Sequence, residues 1–177
     1  MGNVWKGISN EKMYQAEADV WKAGGIDSSC VTAKNVHLGG DDPEYFIRQI
    51  DIAPTTPGLP RIVMIHGYGG GGPIFVKMVA LMREHFWVTT IDLLGLAASG
   101  RPDFQAREYD QASAWFLHSM YEWVKRAGLD HEPFHLLGHS FGGFIAGQYA
   151  YKYPEQIKSL ILLSPVGVER RPKDREL

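Results

Sequence analysis

The spacing of hydrophobic residues changes near residue 60, and the change separates two kinds of predicted structure. Ahead of it, Asn10–Ala23 carries Met13, Ala16, Val20 and Trp21 on one side and is closed by Gly24-Gly25, which predicts a mildly amphipathic helix, a docking arm on the body of the protein. Residues 30–38 and 45–52 read as two strands around the turn Gly39-Gly40-Asp41-Asp42-Pro43, an antiparallel hairpin. A proline-rich connector, 54–60, comes next.

Beyond the connector, short and wholly apolar strands alternate with helices. Residues 62–65 run into a glycine loop, after which Pro73, at a first helical position, opens a helix over 73–84. Residues 86–91 form the next strand. Asp110 is the expected cap of a helix whose stripe is Phe116, Met120, Trp123, Val124 and Ala127, and Gly128 stops it. Strand 134–137, a helix over 144–151 with a small-residue face (Gly142, Gly143, Ala146, Gly147, Ala150), and strand 160–163 complete the pattern. Continuous apolar strands between helices indicate a parallel sheet covered on both faces, so the fold class is α/β.

The hexapeptide Gly138-His139-Ser140-Phe141-Gly142-Gly143 lies between a strand and a helix. A chain that turns so sharply needs glycines where backbone crowds, and the turn forces the central side chain outward. Ser140 Oγ is therefore the nominated nucleophile. Acyl transfer from serine also develops an oxyanion, which needs backbone N–H donors. The Phe141 N–H, next after the nucleophile, is one candidate. The other is the Tyr68 N–H in His66-Gly67-Tyr68-Gly69-Gly70-Gly71-Gly72, since Gly67 lets the chain turn and the later glycines allow a ligand to approach.

His66 and His139 are expected to hold their loops by hydrogen bonds, because a residue adjacent to Ser140 cannot turn its ring back onto Oγ. His135 is expected as a satisfied core histidine, and His85, His118 and His131 fall at helix ends or faces. His37 and Asp42 have a spacing known from some acyltransferases, but the intervening Gly39-Gly40-Asp41 is ordinary turn chemistry.

The glycine loop supports a reading of another class. Gly67-x-Gly69-x-x-Gly72 fits a dinucleotide fingerprint, with Asp92 twenty residues on as the ribose-binding acid. Against it, the fingerprint belongs on the first strand of a sheet, and it leaves the Ser140 elbow without a purpose.

Composition narrows the classes further. With 177 residues, 45% hydrophobic and 21% charged, the chain can build one core. Eighteen basic against twenty acidic residues, net −2, leave no electrostatic footprint for nucleic acid. The single cysteine, Cys30, cannot close an internal disulfide, so a cytoplasmic chain is expected. No run reaches the ~18 apolar residues of a spanning helix. Met1-Gly2 lacks the Ser or Thr that myristoylation wants at position six, where Lys6 stands. No cofactor and no metal is called for.

Several segments together resemble the α/β-hydrolase superfamily: His66 to Gly70, Asp92-Leu93-Leu94-Gly95 with Ser99 and Arg101-Pro102, Gly138 to Gly143, Lys152-Tyr153-Pro154, and Ser164-Pro165-Val166-Gly167 with Arg171-Pro172. More narrowly, they are similar to its lipid-metabolising branch, which includes lysophospholipase-type enzymes and the lipid-droplet coactivator of triacylglycerol lipase. The resemblance spans roughly residues 45–172. It implies Ser140 as nucleophile, Tyr68 and Phe141 as oxyanion donors, Asp92 as a structural acid, and an acyl ester or lipid substrate. Two departures stand out. Ala97 and Ala98 replace the Gly and basic residue usual after Gly95-x, and no histidine follows Ser140, where the family places its acid and then its base.

The expected organisation is a helical arm over 1–27, the N-terminal portion of an α/β-hydrolase domain over 28–168, and a charged tail over 169–177. Residues 160–163 would then be an inner parallel strand left as an exposed edge. The chain is expected to be an inactive fragment of a serine hydrolase or acyltransferase, peripheral to lipid droplets or membranes. The alternative is a non-catalytic regulator that engages a lipase or a lipid surface, with Trp5 and Trp21 as interfacial anchors. Packing of the arm is the plainer role for those two tryptophans.

Overall fold

A computed structural model of the chain describes residues 9–167. Six strands form one mixed sheet: β1 (Val31–His37), β2 (Phe46–Ile52), β3 (Arg61–Ile65), β4 (Trp87–Ile91), β5 (Phe134–His139) and β6 (Ile157–Leu163), in the order β1-β2-β4-β3-β5-β6. The β1–β2 hairpin forms as expected, and β2 also runs antiparallel to β4. From β4 through β3 and β5 to β6 every pairing is parallel. The carboxyl ends of β3, β4 and β5 therefore open on one edge of the sheet, where α/β folds place their sites.

Alternation along the strands feeds two cores. Val63 and Ile65 face α3 (Tyr109–Arg126) and α4 (Phe141–Lys152), where Met120, Trp123, Ile145 and Tyr149 are buried. Ile62 and Met64 face the other side, against Trp21 of α1 (Asn10–Ala23) and Val79 of α2 (Val76–Met82). On the same face of β2 as Ile47, Gln49 is buried and accepts from Trp123 Nε1 at 3.0 Å.

Several expectations need correction. The helix over 73–84 is shorter: a 3₁₀ turn, Gly72–Phe75, precedes α2, and the Gly72 N–H, which has no acceptor within the turn, is taken by a carboxylate. Asp110 does not cap α3. Glu108 occupies the cap position, and Gln111 Oε1 accepts from the Arg107 N–H at 3.0 Å, which leaves Asp110 in the first turn. Gly147 makes no close approach. The buried face of α4 is Gly142, Gly143, Ile145, Ala146 and Tyr149.

The inner face of α1 is also different from the apolar stripe read from spacing. Trp21 and Glu17 are buried, while Val20 is 41% exposed. An ion pair rotates the helix: Glu17 meets Arg48 of β2 at 2.8 Å, and Arg48 also donates to Asn35 at 3.2 Å and stacks on Tyr14 at 4.0 Å. Burial outweighs the attraction of Arg48 and raises the Glu17 carboxyl above its ordinary range. Trp21 is core, so it is not an interfacial anchor. Trp5, Lys6, Arg171-Pro172 and the tail over 169–177 lie outside the described residues.

Among the described residues β1 and β6 are the two edges of the sheet, and β6 is the parallel one. Leu160, Ile161 and Leu162 are 38%, 36% and 41% exposed, apolar on both faces of a parallel edge.

Candidate active site

Strand β5 runs straight into α4 through Ser140, whose backbone is held at φ 52°, ψ −116°. A non-glycine residue in that region is strained, and the surroundings impose it. A Cβ on Gly138 would collide with the Gly142 carbonyl, and one on Gly142 with the carbonyls of Ile65 and His66. Only glycine at both positions lets the first turn of α4 lie against β5 and β3. The Ser140 N–H donates to Leu163 O at 2.9 Å, and its carbonyl accepts from Phe144 and Val166 at 3.1 Å each. Its side chain is thereby turned out of the ladder, and Oγ has no hydrogen-bond partner among the described residues.

The glycine loop after β3 folds over this serine. A Cβ on Gly67 would stand 3.0 Å from Ser140 Cβ and from His139 Nδ1. Close approach, and not turning, is what Gly67 supplies, since the left-handed residue of the loop is Gly69 at φ 72°. The N–H groups of Tyr68 and Phe141 find no acceptor among the described residues, although neighbouring donors such as Gly70 N–H do. The Tyr68 side chain is 82% exposed.

His66 and Asp92 brace the loop from below. His66 Nδ1 lies 2.7 Å from Gly67 O, so it is the protonated nitrogen, and Nε2 accepts from the Leu93 N–H at 3.1 Å. With both nitrogens assigned in this way the ring is neutral, and its 3.9 Å approach to Asp92 is not an ion pair. Asp92 takes the Gly72 N–H at 2.7 Å on one oxygen and the Ala98 N–H at 2.9 Å on the other. Burial pushes its carboxyl above the ordinary range despite those donors. Ser99, 1% exposed, joins this turn to β2: its Oγ accepts from Arg48 N–H at 2.8 Å and donates to Asp92 O at 2.6 Å. Ala97 takes the left-handed conformation, φ 44°, at the step where a glycine was expected.

This geometry weighs against a dinucleotide site. Both Asp92 oxygens are engaged by backbone, so none is directed at a ribose. Nor do three His, Cys, Asp or Glu side chains converge on a metal position among the described residues.

His139 departs from expectation. Its Nδ1 is buried without a partner, so the ring supports the elbow by packing against Gly67 and not by a hydrogen bond through that atom. His135 is half-buried and bonds Ser159 at 2.7 Å across to β6. His37 ends β1, and Asp42 accepts from the Glu44 N–H at 2.8 Å, so that pair is turn structure. All seven histidines of the chain lie among the described residues, and none hydrogen-bonds Ser140 Oγ.

A cavity of about 470 Å³ opens beside Tyr68, walled by Phe104, Trp115 and Phe116. Phe116 packs edge-on against Phe141, the residue after Ser140, at 5.2 Å. Sequence spacing assigned Phe116 to the core and missed this wall, because Phe104 lies in an irregular segment with no periodicity to read.

Residues 60–174 match the family model described as alpha/beta hydrolase fold, and the chain belongs to that family. It is 44% identical over 110 residues to the 1-acylglycerol-3-phosphate O-acyltransferase of Arabidopsis thaliana, covering 62% of this chain and 26% of that protein. It is 37% identical over 125 residues to the (lyso)-N-acylphosphatidylethanolamine lipase of Mus musculus, covering 71% and 36% respectively. Carboxylesterase CesB from Bacillus subtilis shares the fold with a TM-score of 0.69 at 22% identity, over 88% of this chain and 50% of that one. The chain thus spans about a quarter to a third of these curated relatives and half of the solved structure.

Proposed function

We propose that the chain carries the nucleophile and oxyanion donors of a serine-dependent ester hydrolase or acyltransferase acting on acylated lipids, without the base that completes the reaction. The observation that supports this reading is the pairing of an unbonded Ser140 Oγ on a strained elbow with two unused N–H groups, Tyr68 and Phe141, beside it. In that chemistry Oγ attacks an acyl carbonyl, its proton passes to a base, and the oxyanion accepts from the two N–H groups. The alcohol then leaves, and water or a second alcohol takes the acyl group from serine. One oxyanion donor contributes about 3–4 kcal/mol to such a transition state. His66, Gly67, Asp92 and His139 shape the loop and elbow. The lipid class is supported by the acyltransferase and lipase relatives.

With no histidine on Oγ, the 177-residue chain alone has little turnover. A fluorophosphonate probe followed by mass spectrometry tests this: slow labelling, confined to Ser140 and abolished in Ser140→Ala, is expected. Labelling at the speed of an intact triad would contradict the missing base, and labelling unaffected by Ser140→Ala would contradict the nucleophile.

The same lack of a base favours a second reading, a non-catalytic regulator of a lipase on this scaffold. Acceleration of a lipase by both the native chain and Ser140→Ala would select it. No helix among the described residues is long and apolar enough to cross a membrane.

A further inference from the structure

The cavity beside Tyr68 has one cation on its rim. Arg101 is exposed, and its guanidinium is fixed by two backbone oxygens, Ser99 O at 3.2 Å from Nη1 and Ala97 O at 2.6 Å from Nη2. Carbonyl oxygens orient a guanidinium but do not neutralise it. Two acids lie close by, Glu44, which accepts from the Arg101 backbone N–H at 3.0 Å, and Asp103, which accepts from Gln105 at 2.7 Å, and neither carboxylate is bonded to the guanidinium. Among the described residues no carboxylate forms an ion pair with Arg101 within 4.0 Å. Below it, Phe104 and Trp115 meet edge-on at 4.9 Å, as do Trp115 and Phe116, so the wall is continuous and apolar as far as Phe141.

We propose that this cavity binds a single-chain amphiphile, with its chain along Phe104, Trp115 and Phe116 and its acid head group on Arg101. A planar guanidinium with remaining N–H donors suits a phosphate or carboxylate, and a held guanidinium loses little freedom on binding. Arg101 is then a specificity-determining residue that distinguishes acid from neutral head groups. The inference rests on the lipid reading above, yet its test needs no reaction at Ser140. Failure of probe labelling would leave it standing, and failure here would leave the elbow chemistry standing.

The experiment titrates the full chain with lysophospholipids and a fatty acid carrying the same brominated acyl chain and reads tryptophan quenching. Lysophosphatidate and the fatty acid are expected to bind about five- to tenfold tighter than the choline lipid at low salt, an advantage that shrinks as salt rises. Trp115→Phe should remove most of the quenching, and Phe104→Ala should weaken all lipids alike. Arg101→Gln should abolish the head-group preference while Arg101→Lys keeps most of it, with thermal melts reporting that each variant folds. Equal affinity for charged and neutral heads, a preference that survives Arg101→Gln, or quenching unchanged in Trp115→Phe would each overturn the proposal. Displacement of the lipid by inorganic phosphate at comparable concentration would mark a free-anion site and overturn the lipid assignment.

Discussion

Replacing Asp92 with alanine tests what holds the glycine loop after β3 in place. The carboxylate, 1% exposed, is the acceptor for two backbone donors, Gly72 N–H at 2.7 Å and Ala98 N–H at 2.9 Å. Alanine leaves both donors without an acceptor, each worth about 1–3 kcal/mol. Against that, the variant no longer buries a carboxyl whose proton affinity burial has raised, so the net loss is expected at about 2–4 kcal/mol. Chemical denaturation gives the total, and amide hydrogen exchange locates it. Protection should fall at Gly72 and Ala98 and persist in β3 and β5. A loss below about 1 kcal/mol, or continued protection of both amides, would refute the claim that Asp92 clamps the loop.

Glu17→Leu strands a buried Arg48 and should cost about 3 kcal/mol in an equilibrium melt, whereas Glu17→Leu with Arg48→Met should recover most of it; a double variant as unstable as the single would contradict this. The folded-state carboxyl of Glu17 lies above its ordinary value of 4.5, so its contribution to stability is full below that value and is lost as pH rises through the folded value. Stability profiles should therefore slope downward as pH rises above about 4.5, less steeply in Glu17→Gln; an unchanged slope would contradict the assignment. On the sheet edge, Leu160→Lys should reduce self-association in light scattering while shifting stability by less than about 0.5 kcal/mol, and undiminished association would show that β6 is not the sticking surface.

The sequence displays those parts of the fold that depend on local spacing. The hairpin, the apolar parallel strands and the elbow are visible because Gly138 and Gly142 are demanded by backbone collisions within one strand-turn-helix unit. The facing of α1 is not visible: its orientation is set by Glu17 and Arg48, 31 residues apart, and a buried charge opposes the hydrophobic period. Gly67 shows the same limit, since its reason is the nearness of Ser140, a contact across strands, while the left-handed turn falls at Gly69. The glycine loop after β3 could be placed in sequence, but its bracing by His66, Asp92 and Ser99 depends on hydrogen bonds that converge only in the fold. Phe104, in an irregular stretch, gave no signal until the sheet placed it beside Trp115.

The central claim is that Ser140 and its two N–H donors are in place while the base is missing, and exogenous imidazole tests it directly. Release of 4-nitrophenol from an activated ester should be slow at neutral pH and rise with imidazole beyond the solution reaction, and that excess should vanish in Ser140→Ala. Rapid turnover without imidazole would contradict the missing base. The absence of any Ser140-dependent rise would contradict the assembled site.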